Sequence, residues 1–149
     1  MLTTGPLERD EVTVAASLVQ AGSFSPEAEN PHEPDAYWAA VLATRQSGGD
    51  VLVAREDGVV VGVVQVLLFH HFQHHGQRCA ELESFHVRED RRSQGIGRTL
   101  LAAAEDLAEA AGAYRVQLTS NLVRTDAHRF YLREGYQHQH GGFKKLLPR

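Results

Sequence analysis

The chain has 149 residues, 42% of them hydrophobic, and a formal charge of −4 from 15 Lys and Arg against 19 Asp and Glu. That balance, with a pI near 6.1, argues against a general nucleic-acid or membrane-surface binder. The length suits one domain over residues 1–149 with a substantial core. The single cysteine, Cys79, excludes an intramolecular disulfide and fits a reducing compartment. No apolar run reaches membrane-spanning length and no basic-then-apolar leader opens the chain, so a soluble cytoplasmic protein is the expectation.

Gly5-Pro6 punctuates the start, and Val12, Ala15, Ala16 and Val19 then fall on one helical stripe that Gly22 ends. Residues 2–4 are the only room for an earlier strand, and Pro6 is expected to cut it short. Pro26, Pro31 and Pro34 make 23–34 a loop. A second short helix is expected over about 35–47, with Tyr37, Trp38, Val41 and Leu42 clustered and Gly48-Gly49 closing it. Valine-rich runs over 50–56 and 59–72 flank Asp57-Gly58, a strong hairpin signal.

A third strand follows near 78–87. Ile96, Leu100, Ala103, Ala104, Leu107 and Ala111 recur at three- and four-residue spacing and predict a helix stopped by Gly112. Residues 115–120 alternate as a short strand. Thr125 or Asp126 can cap a helix running to Glu134, with Gly135 as its stop. Residues 136–147 read as a final strand or hairpin interrupted at Gly141-Gly142. This order implies an α+β fold: a mostly antiparallel sheet with helices on both faces.

The most informative stretch is Arg91-Arg92-Ser93-Gln94-Gly95-Ile96-Gly97, between the strand-like 81–87 and the helical 98–111. A glycine-rich turn feeding a helix turns backbone N–H groups and the positive end of the helix dipole outward, which is a ready anion site. Gly95 and Gly97 carry no side chain to hold a phosphate off the backbone, and Arg91, Arg92 and Arg98 add positive charge. The reading is a site for a phosphorylated ligand. A dinucleotide fingerprint would need G-x-G-x-x-G after the first strand and a P-loop a Gly-Lys pair; neither is present.

Arg92-x-x-Gly95-x-Gly97 resembles the pyrophosphate loop of the GNAT superfamily of acetyl-CoA-dependent N-acyltransferases. Ala127-His128-Arg129-Phe130-Tyr131-Leu132-Arg133-Glu134-Gly135-Tyr136 resembles the A-x-x-[FL]-Y-x-x-x-G-[FY] signature of the same enzymes. The resemblance covers roughly 51–136 and implies a GNAT-like fold with acetyl-CoA as cosubstrate. It implies that Arg92, Gln94, Gly95, Ile96, Gly97, Arg98 and Thr99 hold the pyrophosphate. Backbone groups of Phe85, His86 and Val87 and the side chain of Asn121 would serve the pantetheine arm, and Tyr131 would donate to the departing sulfur.

A closer likeness, to bacterial aminoalkylphosphonate N-acetyltransferases, lies over about 119–136, with the histidine-rich 69–75 and Glu81 matching in kind. It implies Glu81 and Tyr131 in catalysis, a divalent metal associated with activity, and a small primary amine as partner, with a phosphonate among the options. Ser84 departs from the acidic residue expected at its position, and the first 50 residues show little likeness. An aminoglycoside, a polyamine or a peptide N-terminus therefore stays open as acceptor.

Acetyl transfer to an amine needs a base, because stripping a proton from an ammonium of pKa about 10 costs on the order of 4 kcal/mol at pH 7. It also needs donors on the carbonyl and an acid for the leaving thiolate. Glu81 and Glu83, two apart on a strand, share a face with Phe85 and Val87, and burial with mutual repulsion would raise at least one carboxylate. Strand geometry does not choose between them; the family likeness favours Glu81, acting directly or through water.

Tyr37, Trp38, His70, His74 and Glu83 are the candidate acceptor-binding residues. His70, His71, His74 and His75 invite a metal reading, yet His70 and His71 would face opposite ways and no Cys or carboxylate accompanies them at structural-zinc spacing. A solvated, turn-forming cluster is preferred, then substrate binding, then metal. The expected partners are a small-molecule amine, no nucleic acid and no membrane, with a homodimer left open. A non-catalytic acetyl-CoA-binding module is the competing class.

Overall fold

The computed structural model describes residues 1–148. It divides into two compact units, Met1–Gln117 and the segment from Leu118 onward. In chain order the first holds β1 (Leu2–Pro6), α1 (Val12–Gly22), α2 (Pro34–Gln46), β2 (Asp50–Glu56), β3 (Val59–His70), β4 (Arg78–Val87) and α3 (Ile96–Ala110), then leads into β5 (Arg115–Leu118). The strands lie side by side as β1-β2-β3-β4-β5 in one sheet, and the first three pairings are antiparallel.

The local chemistry explains most of these elements. Asp57 and Gly58 both take positive φ (49° and 83°), as a two-residue hairpin loop between twisted strands requires. Pro34 opens α2 at its first position, where a missing N–H costs nothing. The expectation that Pro6 would abort the first strand is corrected: β1 runs through Pro6, which stands opposite Leu52 on the sheet's outermost strand. An edge strand tolerates a residue without a donor. β3 stops at His70, two residues earlier than expected.

The two sheet faces bury different helices. Val53 and Val63 are paired, and they join Val51, Val60 and Leu7 in a core closed by Val12, Ala15 and Leu18 of α1 and Val41 of α2. On the other face a Cβ added to Gly62 would meet Leu100 of α3 at 3.2 Å. There α3 buries Leu100, Leu101, Ala104 and Ala108. Helices thus cover both faces, as expected. Arg55 on β2 grips both Glu11 oxygens, through Nε at 2.6 Å and Nη2 at 2.7 Å, and donates to the Pro6 carbonyl. That guanidinium holds the Glu11 carboxyl below its ordinary range.

The second unit carries α4 (Thr125–Arg133). Its N-cap is Arg124 rather than Thr125 or Asp126, and Asp126 pairs with Arg129 one turn on. Gly135 ends the helix at φ 93°, as the sequence predicts. Residues 136–147 form no strand, a second correction. Positions 137–142 read Gln-His-Gln-His-Gly-Gly and offer no apolar alternation for a sheet face to bury. Among the described residues no helix is long and apolar enough to cross a membrane.

Candidate active site

A slip in the sheet register organises the site. Gln65 stands opposite Glu83 and Val63 opposite His86, so Ser84 and Phe85 together face the single residue Val64. Two residues against one is a β-bulge, and Ser84 carries it in the left-handed region at φ 52°. The extra residue corrects the expected face: beyond Glu81 and Glu83 it is His86, not Phe85 or Val87, that continues their side of β4. Val87 pairs with Gly62, whose missing side chain lies towards α3. The His86 ring abuts the end of α1, where a Cβ on Gly22 would fall 2.2 Å from its Nδ1.

Glu81 and Glu83 share the face covered by α1 and α2. The carboxylate of Glu81 accepts a hydrogen bond from Gln117 Nε2 at 2.9 Å, and Gln117 Oε1 accepts one from Arg115 Nε at 3.1 Å. Burial, then the charge of Glu81 and a hydrogen bond with it, push the Glu83 carboxyl above its ordinary range. Across the strand, Gln65 donates to Thr44 Oγ1 at 3.0 Å, and Thr44 donates to the Ala40 carbonyl. Gln117 and Arg115 had no marker in the sequence beyond their place in an alternating strand.

The glycine turn has the expected form. Ser93 and Gly95 take positive φ (64° and 81°), and Gly95 is the N-cap of α3, which has no side-chain cap. A Cβ at Gly95 would meet nothing within 4 Å, so the backbone conformation rather than crowding calls for glycine. Ile96 is buried in the core and anchors the turn, while Arg92, Gln94, Arg98 and Thr99 are exposed around it. Gly97 is the second helical residue, and Thr99 donates both N–H and Oγ1–H to the Gly95 carbonyl at 3.0 Å.

Arg91 departs from its expected role. It is committed to Glu56 at 2.7 Å and to Asp90, fastening the turn to the β2 end of the hairpin. Arg92 donates to the Val87 carbonyl at 3.3 Å. An exposed, uncapped start of a 15-residue helix, ringed by cationic and hydroxyl side chains, fits a diphosphate.

In the second unit Tyr131 is half-buried on α4, with the rings of Phe130 and Tyr136 at 5.2 and 5.8 Å between centroids. Burial pushes its hydroxyl up to about 12, against the pull of Arg124, so the phenol stays protonated at physiological pH. Asn121 is exposed and turns its Oδ1 onto the Val123 N–H at 3.1 Å.

Tyr37 forms a wall shared by two clefts. One, of about 160 Å³, lies among apolar residues of α1, α2 and the sheet and reaches Gln65 and Ser84. The other, of about 340 Å³, is lined by Glu29, Asn30 and Glu33 of the α1–α2 connection. The Tyr37 hydroxyl donates to Glu29 Oε1 at 3.0 Å and accepts from the Asn30 N–H at 2.8 Å. Trp38 packs against the core beneath the Arg45 guanidinium, 5.2 Å from the ring centroid.

His70 Nδ1 contacts the Gly76 carbonyl at 3.0 Å, and His71 Nδ1 the Tyr114 hydroxyl at 2.6 Å. The His74 ring lies 5.1 Å from that of Tyr114. His74, His75 and Gly76 are all left-handed, a tight polar turn. Burial, Arg115 and His74 push the His71 imidazole below its ordinary value. Among the described residues no three His, Cys, Asp or Glu side chains gather where they could hold a metal. The ligand set that a divalent ion would need is not found there.

Comparison with known proteins finds relatives in sequence and in fold. A family model described as the acetyltransferase (GNAT) family matches residues 17–136. An aminoalkylphosphonate N-acetyltransferase of Salmonella typhimurium is 43% identical over 95 residues, which take in 64% of this chain and 61% of that protein's length. Among solved structures, a transcriptional regulator from Bacillus halodurans aligns with a TM-score of 0.90 at 24% identity, over 99% of this chain and 100% of that one. A putative acetyltransferase from Agrobacterium tumefaciens aligns at 0.85 and 26%, over 97% and 99%.

Proposed function

Given that the chain belongs to the acetyltransferase (GNAT) family, we propose that it moves the acetyl group of acetyl-CoA onto the primary amine of a small molecule, acting as a single catalytic domain. The observation that carries this reading is the left-handed Gly95 turn at the uncapped start of α3, with the bulged β4 strand leading into it. Acetyl-CoA supplies the thioester carbonyl and its thiol leaving group.

The backbone of residues 95–98, with Arg92, Arg98, Gln94 and Thr99, holds the pyrophosphate. Phe85 in the bulge, and His86 and Val87 just past it, present main-chain groups to the thioester and pantetheine, and Asn121 serves the pantetheine amides. Glu81 takes the proton of the ammonium, directly or through a water, which frees the amine's lone pair for attack. Tyr131, kept protonated by burial, donates to the sulfur as it leaves.

The acceptor we favour is an aminoalkylphosphonate, on the strength of the likeness to the Salmonella enzyme. Tyr37 would bound the acceptor, with Trp38 and Glu83 in supporting positions. His70, at the end of β3, and His74, in the exposed turn after it, are the side chains offered to an anionic tail.

The test is free-thiol release from acetyl-CoA with 2-aminoethylphosphonate, propylamine, spermidine and an aminoglycoside. Turnover favouring the phosphonate over propylamine supports the acceptor class. Equal turnover removes it and leaves the acetyltransferase reading standing. No turnover with any amine overturns both.

A further inference from the structure

The two carboxylates of β4 differ in one contact that comes from outside their strand. Gln117, on β5, is held by Arg115: the guanidinium Nε donates to Gln117 Oε1 at 3.1 Å. An amide whose oxygen is taken by a guanidinium must turn its NH₂ the other way. Here it turns to Glu81, and Nε2 donates to Oε1 at 2.9 Å. An amide NH₂ is only a donor, so the contact favours the ionised carboxylate, the form able to accept a proton.

We propose that Gln117, locked in orientation by Arg115, is the positioning residue that makes Glu81 rather than Glu83 the proton acceptor of the transfer. The proposal rests on the acetyltransferase reading and deepens it. Glu83 hydrogen-bonds to Glu81 and lies opposite Gln65, whose NH₂ donates to Thr44. The amide of Gln65 thus points to Thr44, and the proton gained by Glu81 is passed on to solvent after each turnover.

The groups facing Glu81 bound what else could set its behaviour. On β4 these are Cys79, Glu83 and, past the bulge, His86. From β5 come Gln117 and the charge of Arg115 behind it. On β3 the opposing residue is Leu67, with Gln65 beside it. On α2, Thr44 is bonded to Gln65, and Tyr37 lines the cleft that Gln65 reaches. Gln117 donates to the Glu81 oxygen from outside β4, and Glu83 is hydrogen-bonded to Glu81 within the strand.

The experiment compares wild type with Gln117→Leu and Gln117→Glu, using 2-aminoethylphosphonate and propylamine as acceptors. Leu deletes the donor, and Glu can still pair with Arg115 while presenting like charge to Glu81. The acidic limb of kcat/KM should move to higher pH by about one unit in Gln117→Leu and further in Gln117→Glu, with KM for acetyl-CoA unchanged. Arg115→Gln, which frees the amide to flip, should move the limb the same way by less.

A second readout needs no turnover: NMR titration of ¹³C-labelled glutamate carboxyls in the protein alone. The Glu81 resonance should titrate at higher pH in Gln117→Leu than in wild type. Limbs and titrations that coincide across the variants overturn the proposal, even where rates fall. A wild-type protein inert towards every amine, with the titration shift present, would instead remove the acetyltransferase reading and leave the Gln117–Glu81 coupling intact.

Discussion

His86 takes its place opposite Val63 only because β4 has spent one extra residue since Glu83 paired with Gln65. The left-handed Ser84 absorbs that residue. A β-branched side chain in that conformation costs about 1–2 kcal/mol, whereas glycine adopts it freely but loses about 0.5–1 kcal/mol to chain entropy. Urea melts should therefore find Ser84→Gly near wild type and Ser84→Val clearly less stable. Deleting Ser84 should restore a straight ladder with Phe85 opposite Val64 and His86 still opposite Val63.

Glu83 makes a prediction about stability as well as rate. Its carboxyl is raised above the ordinary 4.5 by burial and by Glu81, so the folded protein holds that proton more tightly than the unfolded chain does. Stability must fall as pH rises from about 4.5 through the folded value. Glu83→Gln removes the penalty. Denaturation at pH 7 should show a gain over wild type that vanishes at pH 4, and the acidic limb of the rate profile should move to lower pH as a nearby negative charge is lost.

Replacing Tyr131 with Phe should separate chemistry from binding. Loss of an acid is worth roughly 10²–10⁴-fold in rate, against about 0.5–1.5 kcal/mol for a neutral hydrogen bond in affinity. Stopped-flow turnover and calorimetry on the same variant give both numbers. With the hydroxyl at about 12, no alkaline limb below pH 10 should belong to it.

Gly95→Ala tests the diphosphate turn without crowding it, since its Cβ has open space. The variant must still hold φ 81° at that residue, which costs about 1–2 kcal/mol. It should fold, melt lower, and bind CoA about tenfold more weakly by calorimetry if the strain relaxes by shifting the turn.

Acid stability should depend on Glu11. Its carboxyl is lowered from 4.5 by Arg55, so its contribution is complete above that pH and is lost as pH falls through the depressed value. Glu11→Gln should cost about 1.5–3 kcal/mol at pH 7 and approach nothing in strong acid, as urea melts across pH would show.

Much of this was readable in the sequence, for identifiable reasons. Asp57-Gly58 and Gly95 name backbone conformations that other residues reach at a cost, so hairpin and turn could be placed to the residue. The bulge could not, because a serine holds it. Nor could β1, whose Pro6 argues against a strand until an edge position is known. Gln117 was invisible for a different reason: its role lies in a contact between residues 36 apart in the chain. Residues 136–147 misled because isolated apolar residues late in the segment resembled an alternation that 137–142 lack.

Gly22 has a consequence for engineering. With the His86 imidazole lying where its Cβ would be, position 22 works as a steric dial set to its lowest stop. Adding a single methyl there pushes on a ring seated directly past the strand's extra residue, and does so from the end of a helix whose following loop borders the Glu29 cleft. Selectivity for the incoming amine could thus be retuned by one carbon, from outside the set of residues that perform the chemistry.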